Sequence, residues 1–158
     1  AGLERIAGST GSTSETAVQQ LYGLPDIALI DMGDFAGGML KYVRAHPVPH
    51  VVIAGGFAKI TKLAQGAMDL HSSRSQVDLN LLAGIAVENG LNQTLKPRIQ
   101  SVNTAQEALE IAAENNVELA RPVAGMALAA CRDILRGAPV QAEVIITDRK
   151  GIILARAG

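Results

Sequence analysis

The sequence predicts a single α/β domain over residues 1–158, with an open, mainly parallel sheet, helices on both faces in a Rossmann-like arrangement, and a closing β-hairpin at the C-terminus. Three observations predict this fold. Short apolar runs alternate with helical patterns, and each early run ends in glycine or a small polar residue. The 158 residues are also 48% apolar, which is enough for one continuous core.

The predicted strands are the short apolar runs. The run at 51–54 is apolar throughout, which is typical of a strand buried on both faces of a parallel sheet. The last two runs are separated by Asp-Arg-Lys-Gly, which predicts a hairpin. The predicted strands cover residues 3–7, 27–32, 51–54, 98–102 (the weakest), 142–147 and 152–155.

The predicted helices are bounded by capping and breaking residues. Ser12 with Glu15, and Thr104 with Glu107, have the spacing of capping boxes. Gly23 is expected to end the first helix, and Pro122 is expected in the first turn of the last. The predicted helices cover residues 12–22, 36–45, 58–70, 78–88, 104–115 and 118–136.

Composition excludes several classes of function. The net charge is −1, aromatic residues make up 3% and Trp is absent, so neither nucleic acid nor a membrane is an expected partner. Cys131 is the only cysteine and lies in an apolar stretch, which predicts a buried thiol and a reducing, cytoplasmic location. His46 and His50 do not have the spacing of metal ligands, and no metal site is predicted.

The turn after the first predicted strand is the first candidate binding site. In an open parallel sheet, ligands bind beyond the carboxyl ends of the strands, where helix N-termini present free N–H groups. The turn combines bare backbone with hydroxyl groups suited to a carboxylate, a phosphate or a ribose. A flexible loop followed by an ordinary helix cap would have the same composition. The candidate residues are Ser9, Thr10, Gly11, Ser12 and Thr13.

Two further glycine-rich turns follow the second and third predicted strands. Asp34 can cap the next helix or accept hydrogen bonds from a ligand, and capping is the simpler interpretation. Paired glycines after the third strand allow close backbone approach, although tight packing of helix on sheet explains them equally well. The candidate residues are Asp34, Phe35, Gly37, Gly55 and Gly56.

The predicted helix 58–70 places Lys59, Lys62, Gly66 and Asp69 on one face. A glycine inside a helix costs about 1 kcal/mol relative to Ala, so this face is either packed on a neighbour or open to close approach by an anionic ligand. A solvated face is the alternative for the lysines. His71 and Ser72 end the segment and complete the set of candidate residues; no catalytic side chain is assigned.

The sequence resembles the C-terminal half of the cobalt-precorrin-5B C1-methyltransferase family of cobalamin biosynthesis (CbiD). The resemblance covers residues 8–86 and rests on AGSTGSTSE, MGDFAGGML and above all VVIAGGFAKITKLAQGAMDLHS. Family members often carry His where Gly56 stands. Residues 87–158 have a compatible order of elements but no distinctive motif.

The resemblance implies methyl transfer from S-adenosylmethionine to a ring carbon of a cobalt-containing tetrapyrrole. It also implies a partner, the family's N-terminal half, which this chain lacks, and it favours Lys59 and Lys62 as ligands for the carboxylate arms of the macrocycle. Alternatives are a domain that only binds the tetrapyrrole or docks on the other half, with the methyl donor elsewhere, and an unrelated nucleotide-binding domain. Self-association of the chain is left open.

Overall fold

The computed structural model describes residues 2–158 and contains one five-stranded sheet. Its strands are β1 (Arg5–Ser9), β2 (Leu29–Asp31), β3 (His50–Gly56), β4 (Gln141–Thr147) and β5 (Ile153–Ala157). They lie in the order β2-β1-β3-β4-β5. The first four are parallel, and β5 pairs antiparallel with β4. The predicted open, mainly parallel sheet and closing hairpin are confirmed.

Among residues 2–158, seven α-helices accompany the sheet. Short 3-10 turns at Asp26–Ala28 and Gln93–Leu95 were not predicted. Gly23 ends the first helix in the left-handed conformation, with φ of 62°, as expected. Thr104 Oγ1 accepts from Glu107 N at 3.1 Å, which confirms Thr104 as the N-cap of its helix. The helices are α1 (Ser12–Tyr22), α2 (Ala36–Ala45), α3 (Phe57–Ala64), α4 (Leu79–Glu88), α5 (Lys96–Gln100), α6 (Ala105–Glu114) and α7 (Ala120–Leu135).

The two faces of the sheet carry cores of different size. Along β3, Val51 and Ile53 point into a large core formed with α2 to α7, whereas Val52 and Ala54 point into a small core beneath α1. This alternation buries both faces of the strand, as its apolar sequence predicts. Cys131 is fully buried in the large core, and burial raises the pKa of its thiol to about 12.

The strand predicted at 98–102 is wrong, because these residues belong to α5 and the turn that follows it. Pro97 occupies the first turn of this helix, where its missing N–H costs nothing and its fixed φ is favourable. Ile99 is fully buried and supplies the apolar contact of the short helix. The fourth parallel strand of the sheet is instead β4.

The helix predicted over 58–70 is also wrong in extent. It ends at Ala64, and Gly66 follows in the left-handed region with φ of 91°. Gly66 and Asp69 therefore do not lie on a helical face with Lys59 and Lys62. Residues 65–78 run as an irregular connection to α4, since the glycine serves to leave the helix rather than to continue it.

Two expected helix caps are absent. Ser12 is the first residue of α1, and Gly11 is its N-cap. Phe35, not Asp34, is the N-cap of α2. The Asp34 carboxylate instead pairs with Lys59, which satisfies it without a cap. Within residues 2–158, no helix has the length and apolarity needed to cross a membrane.

Candidate functional site

A cleft of about 410 Å³ opens at the carboxyl edge of the sheet, over the ends of β1, β3 and β4. β1 lies between β2 and β3 in the sheet, so the chain runs from β1 to β2 on one side and then crosses to β3 on the other side. The strand order therefore reverses between β1 and β3, at the carboxyl edge where the cleft lies. Ligands of open α/β sheets bind at such a point. The topology thus places the cleft where the sequence predicts binding.

Two helix N-termini form one wall of the cleft. Gly11 precedes α1 and Gly56 precedes α3, and neither helix receives a hydrogen bond from a capping side chain. Their first N–H groups therefore remain available to an acceptor in the cleft. Aligned peptide dipoles also make the wall favourable for negative charge. Thr10, Ser12 and Thr13 add hydroxyl groups beside this wall.

The β4–β5 hairpin turn also lines the cleft, and sequence reasoning did not include it in the site. Thr147, Asp148 and Arg149 line the cleft there. Asp148 Oδ1 accepts from Lys150 N at 2.8 Å and from Ile152 N at 2.9 Å, so this carboxylate holds the turn in shape. The feature that could have predicted this part of the site is the direction of β4, because a parallel β4 brings its carboxyl end to the same edge of the sheet as β1 and β3.

The two lysines of α3 have different surroundings. Lys59 lines the cleft and pairs with Asp34. Lys62 is only 7% exposed, lies outside the cleft and donates from Nζ to the carbonyl oxygen of Leu70 at 3.1 Å. Burial, and after it the charge of Lys59, lowers the pKa of Lys62. Lys62 therefore acts here as an internal donor that holds the chain at Leu70.

That contact belongs to a set of bonds that fixes the 65–78 connection onto the β2–α2 turn. Leu70 N donates to Asp34 O at 2.8 Å, and Gly37 N donates to Met68 O at 2.9 Å. A Cβ on Gly37 would lie 2.5 Å from Met68 Cβ. Gly37 thus permits the two chain segments to touch, and its role is in packing.

Gly55 also permits a close approach. A Cβ there would lie 2.8 Å from Thr10 Oγ1, so the β1–α1 turn rests directly on the end of β3. The Thr10 amide donates to Ala54 O at 3.0 Å and fixes the turn in that position. By contrast, Gly11 and Gly56 have open space at the corresponding position and face the cleft. Gly55 therefore supports the cleft by allowing the β1–α1 turn to pack against the end of β3.

The structure brings part of the predicted set together. Ser9 is buried, and its hydroxyl has no hydrogen-bond partner among the described residues. His71 pairs locally with Ser73 on an exposed loop. Phe35 is 68% exposed at the neighbouring turn, beside the Asp34 that pairs with Lys59. The predicted residues that line the cleft are Thr10, Gly11, Ser12, Thr13, Gly56 and Lys59; those that do not are Ser9, Asp34, Phe35, Gly37, Gly55, Lys62, Gly66, His71 and Ser72.

Several cleft residues were not predicted. They include Arg149, which takes no part in the three ion pairs of the described residues. Gln106 enters from the first turn of α6, a helix far from the glycine-rich turns in sequence. The unpredicted lining residues are Ser14, Phe57, Ala58, Gln106, Thr147, Asp148 and Arg149.

Comparison with known proteins identifies relatives of the whole chain. The family described as "CbiD, C-terminal domain" matches residues 69–158, including the part in which no distinctive motif was found. Proteins named cobalt-precorrin-5B C(1)-methyltransferase from Brucella ovis, Brucella canis and Brucella suis are each 57% identical over 156 residues. Those matches cover 99% of this chain and 42% of each relative.

The chain therefore spans less than half the length of these curated relatives. No solved structure gives a significant match. Both the family model and the relatives match residues 69–158. The segments that contain α1 and α3, which form one wall of the cleft, are matched by the relatives alone.

Proposed function

The chain belongs to the CbiD family, and on that premise we propose that it forms the C-terminal, tetrapyrrole-binding part of a cobalt-precorrin-5B C1-methyltransferase dependent on S-adenosylmethionine. The shared name of relatives 57% identical over 99% of the chain supports this activity and a role in cobalamin biosynthesis. The activity is a property of the longer protein, and this domain contributes one surface to its site. A cytoplasmic location fits the same proposal, as does the single buried cysteine.

The observation that carries the proposal is the convergence of two uncapped helix N-termini with Arg149 on one cleft at the carboxyl edge of the sheet. All three favour an anionic ligand. The carboxylate arms of a corrin precursor supply that charge. The volume of about 410 Å³ and the open mouth suit one edge of a macrocycle, with the remainder left for another domain to cover.

The fit to the methyl donor is weaker. Its ribose hydroxyls and its ammonium group need acceptors, and a carboxylate is the usual one. Asp148 is the one acid that lines the cleft within the described residues, and one of its oxygens already accepts two backbone N–H groups. Asp34 is paired with Lys59. We propose that the donor binds mainly outside this domain.

The proposed chemistry requires little from side chains as acids or bases. When bound, S-adenosylmethionine would supply an electrophilic methyl group to a ring carbon of the macrocycle, and its sulfur would keep the electron pair of the broken C–S bond. The part of this chain is to bind and orient the macrocycle and to exclude water on one side. Hydroxyls and N–H groups of the cleft wall fix the carboxylate arms, while the glycines allow the ring to approach the backbone.

Separate titrations test the proposal. The 158-residue chain is titrated with S-adenosylhomocysteine and with a cobalt tetrapyrrole carrying free carboxylates, and heats of binding are recorded. We expect the tetrapyrrole to bind and S-adenosylhomocysteine to bind weakly. Tight binding of S-adenosylhomocysteine with no tetrapyrrole binding would place the donor here and contradict the proposal.

An activity measurement complements the titration. We expect the chain alone not to methylate cobalt-precorrin-5B, because a site shared between domains stays open to water when one is missing. Mass spectrometry of the product, compared with a full-length relative, measures this. A rate similar to that of the full-length enzyme would show that the whole site lies in this domain.

A further inference from the structure

A second cleft, of about 380 Å³, lies beside the first and has no role in the proposal above. The two clefts share Ser12, Thr13 and Arg149, so they meet along the start of α1 and the tip of the β4–β5 turn. Beyond this shared wall, the second cleft is lined by Thr16, Gln20 and Lys150, none of which is among the site residues predicted from the sequence. A ligand in one cleft can therefore extend into the other.

The second cleft concentrates positive charge. Arg149 and Lys150 line it, and no acidic residue does, in a chain whose net charge is −1. Both side chains are exposed, and neither takes part in the three ion pairs formed by residues 2–158. Two adjacent cations without counter-charges repel each other, and an anion between them relieves that repulsion. Charge therefore favours an anionic occupant.

The polar side chains of the cleft narrow the kind of anion. Ser12, Thr13 and Thr16 carry hydroxyls and Gln20 an amide, groups that donate hydrogen bonds to a carboxylate while Arg149 supplies a fork that matches its two oxygens. The ammonium of an amino acid would find two cations and no acid there. A carboxylate without a neighbouring ammonium fits this lining best, as in the acid arms of a tetrapyrrole.

We infer that the second cleft is a carboxylate subsite for acid arms of the tetrapyrrole whose edge lies in the first cleft, with Arg149 shared between the two. The inference rests on the proposed function and adds to it a preference among tetrapyrrole ligands. The favoured ligand carries free carboxylates at more than one position of the ring. Lys150 is the residue that distinguishes the subsite, because it lines the second cleft and is absent from the lining of the first.

The test compares the Lys150→Gln variant with a matched lysine elsewhere. Lys41 of α2 is exposed, takes no part in the same three ion pairs and lines neither cleft, so Lys41→Gln removes the same charge from the same chain. Arg149→Gln and Arg132→Gln form a second pair. Each chain is titrated with uroporphyrin, an octacarboxylate tetrapyrrole, with coproporphyrin, which has half as many carboxylates, and with S-adenosylhomocysteine.

We expect Lys150→Gln to weaken uroporphyrin binding about 5- to 30-fold, with a smaller loss for coproporphyrin, because the latter has fewer arms to place in the subsite. Lys41→Gln and Arg132→Gln should change either affinity less than twofold, as roughly expected for screened surface charges. Melting temperatures should stay equal, since all four side chains are exposed.

The other outcomes separate the two ideas. Equal losses in Lys150→Gln and Lys41→Gln, with uroporphyrin still bound, would overturn the subsite and leave the proposed function standing. A loss of S-adenosylhomocysteine affinity in Lys150→Gln would assign the carboxylate to the methyl donor and overturn the subsite. Failure of both tetrapyrroles to bind the unmodified chain would overturn the proposed function and the subsite together.

Discussion

Gly11 of the β1–α1 turn and Gly37 at the start of α2 have different surroundings, although both lie in glycine-rich segments that follow a strand. Gly11 has open space where a side chain would start and faces the cleft. Gly37 is pressed against Met68 of the 65–78 connection, at a distance that leaves no room for a Cβ. One turn is left open for a ligand, and the other is closed by the protein itself.

The largest effect is expected at the closed turn, where Gly37→Ala should lower the free energy of unfolding by about 2 to 3 kcal/mol. The new Cβ would lie 2.5 Å from Met68 Cβ and 3.1 Å from Met68 Cα, so a backbone segment has to move. Urea unfolding measures the loss. Gly38→Ala is the matched control: it is the next residue, has open space, and should stabilise α2 by about 0.5 to 1 kcal/mol. Equal stabilities of the two variants would contradict the packing role.

Removing the internal lysine should have the next largest effect. Lys62→Ala should cost about 1 to 2 kcal/mol, because the carbonyl of Leu70 loses its bond from Lys62 Nζ at 3.1 Å. The variant Lys59→Ala is the comparison, since Lys59 lies 3.5 Å from the same oxygen and is more exposed. A loss confined to Lys59→Ala would mean that Lys62 does not hold the connection.

The same lysine predicts the sign of a pH effect. Because burial lowers the pKa of Lys62, the unfolded chain binds more protons than the folded chain at pH values between the lowered pKa and the usual 10.5. The free energy of unfolding contributed by Lys62 should therefore rise with pH across that interval. Urea titrations at neutral and alkaline pH, on the unmodified chain and on Lys62→Ala, measure this contribution as the difference in free energy of unfolding between the two chains. A difference between them that shrinks as pH rises would contradict it.

Gly66→Ala should destabilise the chain by about 1 kcal/mol, a smaller loss than at Gly37. No atom lies within 4 Å of the added Cβ, so the cost comes from the φ of 91°, which L-residues avoid. Gly84→Ala inside α4, also in open space, should instead stabilise by roughly 0.5 to 1 kcal/mol. In thermal melts, the melting temperatures of the two variants should shift in opposite directions. A higher melting temperature for Gly66→Ala would support the longer helix predicted over 58–70.

The smallest effect on folding is expected at the open turn. Gly11 is extended, with φ of −170°, and an added Cβ meets nothing, so Gly11→Ala should change stability by less than about 0.5 kcal/mol. If the turn receives the macrocycle, the same variant should still weaken uroporphyrin binding. A large drop in melting temperature would show that this turn, like its neighbour, is occupied by the protein.

The difference between the two turns explains what the sequence could and could not predict. The strand predicted at 51–54, which is the centre of β3, and the hairpin after Thr147 were predictable because their patterns are local. The role of Gly37 was not, since it depends on Met68, which reaches the turn only through the 65–78 connection. Arg149 was missed for a related reason: its place in the cleft follows from the direction of β4 and not from its neighbours in sequence.

The bonds at Met68 and Leu70 also divide the connection between Ala64 and Leu79 into two shorter loops. Each doubling of loop length adds only about 0.6 kcal/mol of closure entropy, so the gain in stability is modest. The kinetic consequence is larger: we expect the exposed residues 71–74 to open to solvent while 65–70 stay attached through these bonds. In amide hydrogen exchange, we expect the N–H groups of Leu70 and Gly37 to exchange together and slowly, and those of the exposed 71–74 turn to exchange first.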